Sequence, residues 1–339
     1  MKKNRILCVA LVLVLCLGML VGCGNKKETN SNKKETTSNE KEKYSVVCTI
    51  FPEYDWVKEV LGDQEEDFDL TLLMDNGTDL HSFQPTAEDI AKISDCDVFI
   101  YVGGESDEWV EDALKEATNK EMQVINQLDI LGNEIKEEEV VEGMESEEEE
   151  SEEGEEGEEE IEYDEHVWLS VKKAKTLVGA IKDAICKVDA DNAKTYESNA
   201  TAYIEKLSDL DTQFEDAIKE ATKKTVLFGD RFPFRYMVDD YGLKYYAAFV
   251  GCSAETEASF ETITFLANKV DELGLSKVLV LENSDQKIAE TIIQNTKEKN
   301  QEIVVMDSMQ GVTAEDIANG ATYLESMKKN LEAIRQTVE

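Results

Sequence analysis

The chain carries two histidines, His81 and His166, on either side of a long glutamate run. A neutral imidazole offers a lone pair near physiological pH, which makes histidine the commonest side-chain ligand for zinc, and carboxylates can complete a tetrahedral set. His81 lies in Asp75-Asn76-Gly77-Thr78-Asp79-Leu80-His81-Ser82-Phe83-Gln84-Pro85-Thr86, and His166 in Tyr163-Asp164-Glu165-His166-Val167-Trp168-Leu169-Ser170. Both stand where a loop runs into a helical pattern, not on an apolar stripe, and such loops are where binding residues concentrate. Asp79 and Asp75 are placed to orient the His81 ring, as carboxylates do for ligating histidines. The chemistry expected is capture of a transition-metal ion. No HExxH motif is present and neither histidine motif offers a convincing general base, so hydrolysis at a bound zinc is not expected and the chain is read as a non-enzyme.

Two α/β series must bring these histidines together. Tyr44 to Ile50 reads as a strand, followed by a helix from Pro52 to Leu61 and a strand from Phe68 to Leu73. Thr86 to Asp89 has a helix-capping pattern, Val98 to Val102 reads as a buried strand, Trp109 to Ala117 as a helix and Gln123 to Asn126 as a short strand. From Leu169 to about Lys219 the pattern is helical, without proline and with only Gly179, long enough for two helices or a single one. A second series then alternates strands at 225–228, 245–249, 277–281 and 303–306 with helices near Tyr236, at 260–273, at 287–299 and from Tyr323. The expectation is an α/β fold of two parallel-sheet lobes, 44–133 and 223–339, joined by a long rigid helix within 166–222, with the ligand site in the cleft between lobes.

The flanks and the charge bound the setting. A basic start, Met1 to Arg5, precedes an apolar stretch from Ile6 to Leu20 and then Leu20-Val21-Gly22-Cys23, so residues 1–22 read as a signal peptide. The small residue before Cys23 resembles the bacterial lipobox, which implies lipidation of Cys23 and anchoring outside the cytoplasmic membrane. Residues 23–43 are polar and read as a flexible tether. The formal net charge of −40 argues against nucleic acid as a partner. From Glu134 to Glu165 there are 20 acidic residues against the single Lys136, a run read as a disordered surface loop over 134–165. Cys48, Cys96, Cys186 and Cys252 match no paired metal motif and read as buried small hydrophobes or as containing one disulfide.

In order along the chain, Thr49-Ile50-Phe51-Pro52-Glu53-Tyr54-Asp55-Trp56, Asp79-Leu80-His81-Ser82-Phe83-Gln84-Pro85-Thr86, Asp97-Val98-Phe99-Ile100-Tyr101-Val102-Gly103 and Asp164-Glu165-His166-Val167-Trp168-Leu169-Ser170 resemble the zinc and manganese solute-binding lipoproteins of bacterial ABC transporters, the zinc-uptake members above all. The resemblance implies a monomeric receptor that holds one ion between two lobes that move only modestly, and delivers it to a membrane permease for import. The insert before the second histidine is often histidine-rich in that family. Here it is glutamate-rich, and it reads either as a solvated acidic loop or as a weak multivalent cation trap.

The second lobe departs from the family pattern. Gly229-Asp230-Arg231-Phe232-Pro233-Phe234-Arg235-Tyr236 resembles the segment carrying the third ligand, normally histidine or glutamate, and Arg231 falls at that position. A guanidinium has no lone pair to donate, so Asp230 is the candidate substitute, with Arg231 pairing to Glu255 or Glu257. Asp307 resembles the fourth ligand of manganese members, and Glu282 competes with it. The expected set is His81, His166, Asp307 and Asp230 around zinc, with manganese or iron as alternatives for such mixed nitrogen and oxygen donors. A surface adhesin displaying an acidic loop is the remaining reading and leaves both histidine motifs unexplained.

Overall fold

The structure, a computed structural model, describes residues 43–145, 162–253 and 257–339. The signal peptide at 1–22, Cys23, the tether up to residue 42, the centre of the acidic run and Glu255 lie outside these residues. Among the described residues no helix is long and apolar enough to cross a membrane.

The first lobe runs β1 (Tyr44–Cys48), α1 (Phe51–Leu61), β2 (Phe68–Leu72), α2 (Ala87–Asp95), β3 (Val98–Tyr101), α3 (Trp109–Lys115), β4 (Gln123–Asn126) and α4 (Gln127–Leu131). Two helices follow, α5 (Val171–Val188) and α6 (Ala193–Glu220). The second lobe runs β5 (Thr225–Phe232), α7 (Arg235–Tyr241), β6 (Lys244–Val250), α8 (Phe260–Leu273), β7 (Lys277–Leu281), α9 (Lys287–Asn295), β8 (Glu302–Met306), α10 (Ala314–Ala318) and α11 (Tyr323–Val338). The sheets are ordered β2-β1-β3-β4 and β6-β5-β7-β8, all parallel, so both lobes have the same strand order. The expected two-lobe α/β fold is what the chain adopts.

Strand alternation explains how the lobes share a core. Val46 and Cys48 of β1, Val226 and Phe228 of β5, and Leu279 and Leu281 of β7 face one cluster with Trp56, Leu177, Tyr203, Phe214 and Leu331 from α1, α5, α6 and α11. Their neighbours point the other way. Val47 and Phe99 pack on Ile93 and Val110, while Leu227, Val278 and Val280 pack on Leu266, Val270 and Ile292. With both faces covered, strands lose the polar side of the alternation, which is why they read as apolar runs. The helical stretch is interrupted at Asp189, whose carboxylate accepts from Asn192 Nδ2 and Tyr196 Oη, both at 2.7 Å. The long helix beyond it, the 28-residue α6, lies against α1 of the first lobe and α11 of the second.

One sequence expectation is corrected and one open alternative is decided. The flanks of the acidic run are folded, not a loop leaving the surface: Glu137 pairs with Tyr163, Glu145 with Phe249, and Met144 is buried. Three apolar residues, Val140, Val141 and Met144, interrupt the glutamates there, and Val141 packs on the shared core. Cys48, Cys96, Cys186 and Cys252 are all free thiols, so no disulfide forms among them.

Candidate metal centre

His81 is presented by a single 3-10 turn, Leu80–Ser82, that follows β2, with Asp79 accepting the His81 backbone N–H at 3.1 Å. His166 stands just before another such turn, Val167–Leu169, which leads into α5. Behind it, the Trp168 indole donates to the Ser308 carbonyl at 2.9 Å and the Tyr323 hydroxyl to the Trp168 carbonyl at 2.7 Å. These bonds tie the segment bearing His166 to the second lobe. His166 is fully buried.

The two Nε2 atoms are 3.1 Å apart. Each ring uses its other nitrogen elsewhere: His166 Nδ1 lies 3.0 Å from Asp164 Oδ1, and His81 Nδ1 lies 2.8 Å from Ser106 Oγ and 3.5 Å from Glu165 Oε2. The Asp164 carboxylate favours the proton on His166 Nδ1 and leaves that Nε2 bare, the arrangement of a ligating histidine. Two ring nitrogens at this distance share either a proton or a cation. Tetrahedral zinc with nitrogens at about 2.0–2.1 Å would hold such a pair roughly 3.3 Å apart. Burial, and then the neighbouring His166 and Arg231, lower the proton affinity of the His81 imidazole against an opposing pull from Asp79. Its lone pair is thus available at neutral pH.

The third group at this point is Cys252, just beyond β6: one nitrogen of each histidine and the Cys252 Sγ lie within 4.8 Å of one another. Among the described residues this is the cluster of potential ligands that the structure brings together. Glycine makes two of the close approaches possible. A Cβ on Gly251 would stand 2.9 Å from His166 Cε1 and 3.0 Å from the Phe232 carbonyl oxygen, and one on Gly104, at φ +84°, would stand 2.3 Å from Glu165 Oε1. A cavity of about 560 Å³ opens beside the cluster, bordered by His81, Ser106, Glu138, Glu165, Arg231 and Cys252.

Glu165 accepts the Ser106 N–H at 2.9 Å through Oε1, while its Oε2 is buried with no hydrogen-bond partner. Burial pushes this carboxyl up to about 7, against the hydrogen bonds from Ser106. Burial also raises the Cys252 thiol, helped by the nearby Glu138, Asp164 and Glu165 carboxylates. A dication at such a point reverses that preference and favours carboxylate and thiolate.

The expected carboxylate ligands are elsewhere, and hydrogen bonding explains why. β5 extends to Phe232 with a register shift between Phe228 and Arg231, which turns Asp230 toward β7. Asp230 accepts the Leu281 N–H at 3.2 Å and the Arg231 N–H at 2.9 Å. Arg231 pairs with Asp79 at 2.6 Å, across the cleft, instead of with Glu257. Asp307 accepts the Met309 N–H at 2.8 Å and the Ser326 hydroxyl at 2.7 Å, and Glu282 accepts the Ser308 N–H and hydroxyl, both at 2.8 Å. Neither belongs to the histidine cluster. Asp79 caps backbone and pairs with Arg231, and the Asp75 carbonyl accepts the Ala314 N–H at 2.6 Å. Ring orientation comes instead from Ser106, Asp164 and Glu165. The signal for Cys252 was its position directly after a parallel strand, the end of such sheets where ligands bind.

Residues 46–337 match the model of the family described as ZnuA, zinc-uptake complex component A periplasmic. The chain is 32% identical to the zinc-binding lipoprotein AdcA of Streptococcus pneumoniae over its whole length, and it spans 62% of the length of that relative. It is 30% identical to the high-affinity zinc uptake system protein ZnuA of Bacillus subtilis over 96% of both chains. Among solved structures, the Zn(II)-bound ZnuA-like domain of Streptococcus pneumoniae AdcA superposes with a TM-score of 0.67 at 29% identity, covering 87% of this chain and 99% of that one. The metal-dependent lipoprotein YcdH of Bacillus subtilis does so with a TM-score of 0.69 at 28% identity, covering 87% and 99%. With nearly all of its folded part matched, the chain belongs to the ZnuA family.

Proposed function

We propose that this protein is an extracytoplasmic zinc receptor: it captures one ion between its lobes and hands it, chemically unchanged, to an ABC permease for import. The observation that carries this reading is the pair of imidazole Nε2 atoms 3.1 Å apart, each ring held through its other nitrogen. His81 and His166 are the ligands from the first half of the chain. The names of the relatives support zinc as the ion: a zinc-binding lipoprotein and a zinc uptake protein, and a Zn(II)-bound domain of similar fold. Lipidation at Cys23 would keep the monomeric receptor beside its permease, and residues 23–43 would give it reach.

Competitive titration of the full chain with zinc, manganese and iron, alongside a His81→Ala/His166→Ala double variant, tests the proposal. One tight zinc equivalent, lost in the variant, is the expected result. Tight manganese or iron in place of zinc moves the protein to a different cargo. Only weak, multiple binding that survives in the variant would sink the receptor reading and leave the acidic run as the sole cation binder.

A further inference from the structure

We propose that Cys252 is the third metal ligand, a thiolate standing in for the imidazole or carboxylate that position 231 lacks, and that this sulfur sets the preference for zinc over harder divalent ions. The inference rests on the zinc-receptor reading above and deepens it.

Geometry places the sulfur. With zinc at about 2.3 Å from sulfur and 2.0–2.1 Å from nitrogen, a tetrahedral site separates the two donor types by roughly 3.6 Å. The Cys252 Sγ already lies within 4.8 Å of one nitrogen of each histidine, close enough for a small movement of the turn to bring it to bonding distance of a shared ion. The turn Gly251–Ser253 packs close to the histidine pair, since a Cβ on Gly251 would stand 2.9 Å from His166 Cε1.

Arg231 supplies the second hold. Its Nη1 donates to the Ser253 carbonyl at 3.4 Å while its Nη2 pairs with Asp79, two residues before His81, at 2.6 Å. The residue at the lost ligand position therefore fastens the turn bearing Cys252 to the loop bearing His81. A salt bridge so placed also neutralises a cation that would otherwise repel the metal.

The remaining cysteines are differently employed. The Cys96 thiol donates to the Ile93 carbonyl at 3.3 Å and the Cys186 thiol to the Ala193 carbonyl at 3.7 Å, while Cys48 is packed in the shared core. Cys252 borders the cavity, its backbone N–H on Glu138 Oε1 at 3.3 Å and its thiol beside the same carboxylate, with Glu165 lining the same cavity. Two imidazoles with one thiolate form a donor set that suits zinc, whereas manganese favours oxygen.

Cobalt(II) bound to the full chain provides the test, since a cobalt–thiolate bond gives an intense near-ultraviolet charge-transfer absorption. One equivalent of cobalt should show that absorption in the wild type, and zinc should displace it. Cys252→Ser should abolish the absorption and weaken zinc by at least roughly 100-fold, the upper end of what changes outside the ligand set cost, while leaving manganese affinity nearly unchanged. Stoichiometric, histidine-dependent cobalt binding without the sulfur absorption would overturn the role of Cys252 and leave the receptor reading standing. That outcome is read in the wild type and so is independent of whether the variant folds. Cobalt or zinc binding that persists in the His81→Ala/His166→Ala variant would overturn both.

Discussion

Two polar clusters lie at the ends of parallel strands, and they differ in what their side chains have left to give. At Glu282 and Asp307, beyond β7 and β8, the carboxylates are occupied by Ser308, Met309 and Ser326 within the second lobe. At His81, His166 and Cys252, between the lobes, each imidazole is held through Nδ1 and turns its Nε2 toward the other ring, and the buried Glu165 Oε2 accepts no hydrogen bond. Buried polar groups are normally satisfied, and an exception marks a place where something else binds. Satisfaction of hydrogen bonds, more than residue type, thus separates a site from a scaffold here.

The comparison can be broken by substitution. The largest effect is expected for His166→Ala, which should lower zinc affinity well beyond the roughly 10–100-fold that changes outside the ligand set cost, measured by competition with a chromophoric chelator. Asp164→Ala, which frees His166 Nδ1 while keeping the ligand, should fall within that 10–100-fold band. Gly251→Ala presses a methyl group onto His166 and the Phe232 carbonyl, so zinc should weaken by several-fold and denaturant unfolding should show a loss of about 1–3 kcal/mol. Asp307→Ala should cost about 1–3 kcal/mol by stranding its buried donors and leave zinc binding untouched. A folded Asp307→Ala protein with sharply weakened zinc binding would mean that the two clusters are one site, and the contrast drawn here would fail.

The smallest effect concerns pH. Burial, and then the charge of Asp307, raise the Glu282 carboxyl above its ordinary value of 4.5. A raised acid binds more protons folded than unfolded, so its contribution is fully present below the unfolded value and is lost as pH rises through the folded one. Stability measured across that window should fall with rising pH in the wild type, and the slope should flatten in Asp307→Asn. An unchanged slope would mean that the two carboxylates do not sense each other.

Element types and their order were legible in the sequence, because strands covered on both faces leave long apolar runs and helices carry their caps. Both histidine motifs were legible for the same local reason. The hydrogen-bond partners of the second-lobe carboxylates were not. Asp230 and Asp307 sit at strand ends as a ligand would, and only the register shift in β5 and the donors from Met309 and Ser326 show that they are occupied. Cys252, a lone cysteine beside a strand, reads as a small hydrophobe, and only the fold shows that its turn packs against His166, far away in sequence. Arg231, which has no lone pair to donate, takes Asp79 in the other lobe as its partner, a pairing the sequence did not reveal.

The core that runs through both lobes has a thermodynamic consequence. Because the inner faces of both sheets pack on the same cluster, neither lobe can lose its packing without exposing the other's, and the folded part should melt as one cooperative unit. An ion bound between the lobes then stabilises the whole unit by mass action, about 2.7 kcal/mol when free ion stands at 100 times its dissociation constant. Occupancy of a site between the lobes would be written into the melting temperature of the entire fold.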